Sequence, residues 1–201
     1  MLQTEIPDSA KPHVYFDVSS LFRPKDVVDV NIKAEVNAMI EICRFIEEDR
    51  LFLVDSFGIH DTIKAKTKEL EKIPNIKLKE KIKYALEILK KKQHLAPAPR
   101  LENPETDGFA YFCFGNEEKT KQLHKDCDEL ERLLNEEDYK IVKFVIASAA
   151  INYFITSDNH FFKPEIVKIL HNYSKNIYKP DEFLKYFLKC LKPCQDRRIS
   201  N

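Results

Sequence analysis

The sequence predicts an α/β protein in which a central parallel sheet is flanked by helices, and three observations lead to that prediction. Short apolar runs rich in β-branched and aromatic residues alternate with segments whose apolar residues recur at helical spacing. Asp17 and Asp158 each follow one of these runs, where a strand would give way to a loop. With only 3 Gly in 201 residues, the composition is typical of a helix-rich protein with few tight hairpins.

Four short runs are predicted as strands. Their β-branched and aromatic side chains favour a pleated and partly buried surface. Strands that alternate with helices usually pair in parallel, with the helices covering both faces of the sheet. The four runs are residues 13–16, 51–54, 153–156 and 175–178.

Six segments are predicted as helices from apolar residues at helical spacing. The fifth is apolar all round in its second half, so we expect it to be buried against the sheet. In the last, a proline suits the first helical position, and we expect Phe183, Leu184, Phe187, Leu188 and Leu191 to face inward. In chain order, the six segments start at Asn31, just beyond Ser56, before Leu78, before Leu123, at Asp138 and at Pro180. The second is predicted to end near Pro74, and the fifth is predicted to run to Ile151.

Residues 96–108 contain the clearest break in the pattern. Three prolines there exclude a helix or a central strand, so the segment is predicted to be a loop. Because Asp17 and Asp158 lie on opposite sides of it, we interpret the loop as a surface excursion within a single domain spanning residues 1–201.

Composition limits the partners and the compartment. Lys plus Arg equals Asp plus Glu at 33 each, so a polyanion would have to be held by a local patch. Five cysteines without a disulfide spacing pattern favour a reducing compartment. The first residues lack an apolar signal core, and no apolar stretch approaches the roughly 20 residues that span a bilayer. We therefore expect a soluble, cytoplasmic protein with no membrane association.

Four acidic residues lie where a predicted strand ends or a predicted helix begins: Asp17, Asp61, Asp138 and Asp158. In a parallel α/β sheet these points gather at the carboxyl edge of the strands. Carboxylates collected there repel one another unless a cation neutralises them. The pattern therefore predicts a divalent metal site, with Mg²⁺ preferred over Zn²⁺ because all four candidate ligands are oxygens, and it suggests metal-dependent hydrolysis.

Each carboxylate also has a purely structural interpretation, and these alternatives stay open from the sequence alone. Asp17 and Asp158 could be turn or cap residues. Asp138 could be a charge at a helix N-terminus, where the helix dipole favours it. Asp61 could be a helix cap.

Both ends of the chain resemble the PIN domain (PilT N-terminus) family. HVYFDVSSL at 13–21 is similar to the opening motif of that family. DYKI at 138–141 and YFITSDNHF at 153–161 are similar to its third and fourth acidic motifs, and IYKPDEFL at 177–184 resembles its closing strand and helix. The middle of the chain, from about residue 66 to 136, is longer than in the simplest members, and we expect a helical and loop insertion there.

This resemblance implies a PIN-like three-layer fold and a metal-dependent ribonuclease that uses Mg²⁺ or Mn²⁺. By position, it implies metal-ligand and catalytic roles for Asp17, Asp61, Asp138 and Asp158, with Ser19 and Thr156 beside them. The family usually has Glu at the second acidic position, where this chain has Asp61 five residues beyond Ser56. A slip of the following helix would place Lys143 at the third acidic position instead of Asp138.

We therefore expect an endoribonuclease that hydrolyses RNA phosphodiester bonds, as do the toxins of some toxin–antitoxin pairs in this family. RNA is the expected substrate, and an inhibitory protein partner and a homodimer are left open. The alternative is a catalytically degenerate PIN-like scaffold that binds RNA or a protein. A lysine-rich middle segment is either a solvated helix face or a track for the RNA backbone.

Overall fold

The fold is given by a computed structural model that describes residues 11–22, 30–54, 58–92, 117–148 and 151–191. Its strands are β1 His13–Phe16, β2 Phe52–Leu53, β3 Tyr153–Ile155 and β4 Asn176–Tyr178. The helices are α1 Val30–Glu47, α2 Gly58–Glu69, α3 Ile76–Lys91, α4 Glu117–Leu133, α5 Glu136–Ala147, α6 Pro164–Asn172 and α7 Pro180–Leu191. Short 3-10 turns lie at Val18–Phe22, Leu70–Lys72 and Asn159–Phe162. The predicted loop at 96–108 lies outside the described residues.

The described strands form one parallel sheet in the order β2-β1-β3-β4. Phe16 of β1 pairs with Ile155 of β3, and Ile155 pairs with Tyr178 of β4. The predicted α/β class and parallel sheet are confirmed. Because the strands run in the same direction, the residues that follow β1, β3 and β4 lie at one edge, where the sequence placed the acidic residues.

Helices cover both faces of this sheet. Tyr15 contacts Phe154 on the neighbouring strand and Phe144 of α5, with ring centroids 5.7 and 5.6 Å away. Tyr153, one residue before Phe154, contacts Phe183 of α7 at 5.4 Å. Successive side chains of a strand point to opposite faces. Helices α5 and α7 therefore lie on opposite sides of the sheet, which gives the described part three layers.

The helices of the middle segment share one hydrophobic core with the sheet. The apolar side of α3 is buried, as its spacing predicted, and a cluster of buried side chains joins it to α4 and to β1. The contributors include Val14, Phe16, Ile82, Leu86, Leu89, Leu123 and Leu130. The described helices between residues 66 and 136 therefore pack against the same core as the sheet.

The helix that was predicted to run from Asp138 to Ile151 ends at Ala147, and its cap is Asn135. The early end has a side-chain cause. Lys175, buried in the loop before β4, donates through Nζ to the carbonyl oxygens of Ser148 and Ile151 at 2.5 and 2.7 Å. Ser148, the residue after the helix, has extended backbone angles, so its carbonyl points away from the helix axis and accepts from the lysine instead of from a further turn.

Two further details differ from the sequence prediction. Helix α6 was not predicted, although Ile166, Ile169 and Leu170 are buried at helical spacing behind Pro164. Leu188 was predicted to face inward but is 42% exposed, because it lies on the solvent side of α7. Within the described residues, no helix is long and apolar enough to cross a bilayer.

The shared core predicts unequal costs for two chemically identical truncations. Leu89→Ala, at a fully buried position of α3, should lower the free energy of unfolding by about 2–5 kcal/mol, because it leaves a cavity. Leu188→Ala serves as the control and should cost less than about 1 kcal/mol. Urea denaturation followed by circular dichroism measures both. An unchanged midpoint for Leu89→Ala would show that α3 does not share the core of the sheet.

Candidate functional site

Asp17 lies directly after β1 and is held by two hydroxyl groups. Only 7% of the residue is exposed. Its Oδ2 accepts hydrogen bonds from Thr156 Oγ1 at 2.7 Å and from Ser20 Oγ at 3.1 Å. Burying a carboxylate is costly unless hydrogen bonds replace the lost water, and bonds to a charged acceptor are the stronger kind. Both donors are hydroxyl groups of neighbouring loops, so the carboxylate is held without a positive partner among these two contacts.

Thr156 connects the loop after β1 with the loop after β3. Its side chain is completely buried. Besides donating to Asp17, its Oγ1 accepts from the backbone N–H of Asp158 at 3.0 Å. In parallel, the N–H of Ser157 donates to Ser20 Oγ at 2.7 Å. These contacts bring Asp17 and Asp158 to one place, although most of the chain separates them.

Asp158 is half-buried and caps the 3-10 turn that follows it. Its Oδ1 accepts from the backbone N–H of His160 at 2.9 Å, and the His160 ring nitrogen Nδ1 lies 3.2 Å from the same oxygen. The turn interpretation that the sequence left open is therefore present in the structure. It coexists with a position at the carboxyl edge of the sheet, beside Thr156.

Asp138 lies in the first turn of α5 and forms two hydrogen bonds with the capping residue Asn135. The Asp138 N–H donates to Asn135 Oδ1 at 2.9 Å, and Asn135 Nδ2 donates to Asp138 Oδ2 at 2.7 Å. Burial raises the pKa of Asp138 above its usual value, and the negative charges of Asp158 and, less strongly, Asp17 raise it further. Asn135 and His160 act in the opposite direction. The three carboxylates therefore lie within electrostatic range of one another.

The alternative that places Lys143 at the third acidic position finds no support in the geometry. Its amine lies over the ring of Tyr139, 5.5 Å from the centroid. Tyr139 belongs to the side of α5 that faces Cys127 of α4. Asp138 is the group of α5 whose pKa responds to Asp158 and Asp17.

Two members of the sequence-predicted set cannot be placed by their side chains. Asp61 belongs to α2, and Ser19 belongs to the 3-10 turn after Asp17, but both side chains lie outside the described part of the structure. Among the side chains that are described, no group of three or more His, Cys, Asp or Glu residues is arranged to hold one metal ion.

Sequence reasoning did not identify Ser157, Asn135 or Lys175. The Oγ of Ser157 is buried and has no hydrogen-bond partner among the described residues. Asn135 was detectable, because an Asn three residues before an acidic residue is a common helix N-terminus signal. Lys175 was not, because the carbonyls that it binds are defined only by the fold.

Comparisons of this chain with protein-family profiles, curated proteins and solved structures gave no match. Assignment of a function therefore depends on the residues of the site and on their geometry.

The Thr156 hydroxyl should be the main support of the site. Thr156→Val keeps the volume but leaves the buried Asp17 carboxylate short of one hydrogen bond, so we expect a loss of about 1.5–3 kcal/mol in the free energy of unfolding. Thr156→Ser keeps the hydroxyl and should cost clearly less. Urea unfolding at neutral pH distinguishes the two, and a loss for Thr156→Val no larger than that for Thr156→Ser would mean that the hydroxyl is not the main support of this position.

The pKa of Asp138 should report the charges of its neighbours. Asp158→Asn should lower that pKa, Asp17→Asn should lower it less, and the exposed Asp128→Asn should leave it unchanged. Carbon-13 NMR titration of the side-chain carboxyl measures each value. In the wild type the folded pKa is raised, so stability contributed by Asp138 is lost as pH rises through it. If the pKa of Asp138 is the same in Asp158→Asn as in the wild type, the two carboxylates are not close to each other.

Proposed function

We propose that this chain is a metal-dependent endoribonuclease of PIN type that hydrolyses RNA phosphodiester bonds. Asp17, Asp138 and Asp158 would bind Mg²⁺ or Mn²⁺, with Asp61 as a fourth ligand. One observation supports the proposal: at the carboxyl edge of the sheet, the Thr156 hydroxyl donates to the Asp17 carboxylate and accepts from the backbone N–H of Asp158, and the charges of both residues act on the pKa of Asp138.

The donor chemistry fits a hard divalent cation. Mg²⁺ prefers oxygen ligands, retains several waters and needs only a few carboxylates, so it does not require a closed protein cage. Burial raises the pKa of Asp138, and the negative charges of Asp158 and Asp17 raise it further. A cation would relieve that repulsion. Helix α2, which carries Asp61, packs against the 3-10 turn that directly follows Asp17.

Such a cation, when bound, polarises a phosphoryl oxygen and lowers the pKa of a water molecule. The chain itself supplies fixed ligands. Ser20 and Thr156 orient the carboxylate of Asp17, and Asn135 orients that of Asp138. The backbone N–H of His160 fixes Asp158. Ligands that are already oriented need little rearrangement when the substrate arrives, which favours catalysis.

Replacing a ligand should abolish cleavage without unfolding the protein. Asp17→Asn or Asp158→Asn should reduce Mn²⁺-dependent cleavage of a fluorogenic RNA oligonucleotide at least about 100-fold, because a charge that stabilises the transition state is lost. Asp128→Asn is the matched control. Full activity in purified Asp17→Asn would rule out its role as a ligand.

A second candidate, a scaffold that binds RNA or a protein without cutting it, is favoured by the absence of a three-ligand group among the described side chains. Isothermal calorimetry with Mn²⁺ separates the two functions. The nuclease should bind the cation in a way that Asp17→Asn and Asp158→Asn abolish and Asp128→Asn does not. Binding that is missing in the wild type would favour the scaffold. An inhibitory protein partner and a homodimer stay predictions.

A further inference from the structure

The positive charge of this chain is concentrated in one short segment. Residues 64–92 contain eleven lysines and four glutamates, a net charge of +7 in a protein whose formal net charge is zero. The segment comprises most of α2, the 3-10 turn Leu70–Lys72 and α3. A local excess of this size creates a positive field that the net charge conceals.

Most of these lysines are not used in ion pairs. Three of them pair with carboxylates: Lys66 with Glu69, Lys79 with Glu71, and Lys92 with Asp49. Eight are exposed and form no ion pair with any described carboxylate: Lys64, Lys68, Lys72, Lys77, Lys81, Lys83, Lys90 and Lys91. Most of the eight have an acidic residue three or four positions away, as on an ordinary solvated helix face. In the described part of the chain, however, these carboxylates do not close ion pairs with them, and lysines outnumber glutamates eleven to four in the segment.

The unpaired lysines are ordered along the helices. Lys64 and Lys68 are four residues apart in α2, so they share one side of that helix, about 6 Å apart along the axis. Lys72 lies in the 3-10 turn that continues α2. Lys83 lies one turn beyond Lys79, whose amine is 2.7 Å from Glu71. This side of α3 therefore faces the turn that carries Lys72, and the charge of Lys83 also helps to lower the pKa of Glu71.

The helix that carries Lys64 and Lys68 packs beside the end of β1. Helix α2 starts at Gly58, shortly after β2, and packs against the 3-10 turn Val18–Phe22, which directly follows Asp17. Lys64 lies three residues beyond Asp61 on the same helix. A chain of phosphates laid along α2 would thus lead to the carboxylates.

We propose that Lys64, Lys68 and Lys72, with Lys83 and Lys90 of α3, form a track that binds the phosphodiester backbone of single-stranded RNA. This proposal rests on the proposed ribonuclease function and names how that site obtains its substrate. A membrane surface is the weaker candidate, because the apolar side of α3 is buried in the core and unavailable for insertion.

The test is an equilibrium binding measurement that needs no cleavage. Fluorescence anisotropy with a labelled oligouridylate in EDTA is recorded over a series of salt concentrations. The triple variant Lys64→Gln, Lys68→Gln, Lys72→Gln should reduce the slope of log K against log salt by about 2 and weaken binding at low salt at least about 10-fold. A matched triple variant with the same charge change, Lys125→Gln, Lys168→Gln, Lys189→Gln, should change the slope by less than about 1.

Equal losses in the two triple variants would overturn the track, since net charge alone would then explain them. Wild-type binding that is tighter to phosphatidylserine vesicles than to oligouridylate would also overturn it. A cleavage assay with Mn²⁺ separates this proposal from the one on which it rests. Track-dependent binding without cleavage by the wild type would support the track and reject the nuclease. If the wild type cleaves RNA and the Lys64, Lys68, Lys72 triple variant still binds RNA normally, the track is rejected and the nuclease is not.

Discussion

The site depends on the hydrogen bond between Thr156 and Asp17. A carboxylate at the end of β1 is almost completely buried, and such a charge is tolerated only when donors surround it. Thr156 supplies the shorter of its two hydroxyl bonds and, through the same oxygen, fixes the backbone of Asp158. One buried hydroxyl therefore satisfies Asp17 and sets the path of the chain that presents the next acidic residue.

The parallel sheet makes this contact available. Because β1 and β3 are neighbours with Phe16 opposite Ile155, the residues that follow them emerge side by side at one edge. Lys175 defines the entry to β3 by binding the carbonyls of Ser148 and Ile151, which end α5 and start the next segment. Helix α5 in turn presents Asp138 from its first turn. The positions of Asp17 and Asp158 at one edge thus follow from strand order and from the buried Thr156 side chain.

Negative charge lies at the carboxyl edge of the sheet, and positive charge lies on the exposed sides of α2 and α3. The carboxylates concentrate negative charge where burial already penalises it, as the raised pKa of Asp138 shows. The lysines of α2 and α3 concentrate positive charge on exposed helix sides next to it. A polyanion that uses both would be held by the lysines and would meet the carboxylates only with a cation between them, since like charges repel. The two proposals are therefore physically connected but separately testable.

The sequence by itself determined the class of fold and most of its elements, because strands and helices follow from local residue type and apolar spacing. All four described strands and six of the seven described helices were predicted. The metal site of Asp17, Asp61, Asp138 and Asp158 stays a prediction. Only the tertiary structure decided the long-range hydrogen bonds at this edge. Thr156 donates to Asp17, the N–H of Ser157 donates to Ser20, and Lys175 binds the carbonyls of Ser148 and Ile151. These partners are distant in the chain, and a pattern of neighbouring residues contains no information about such contacts.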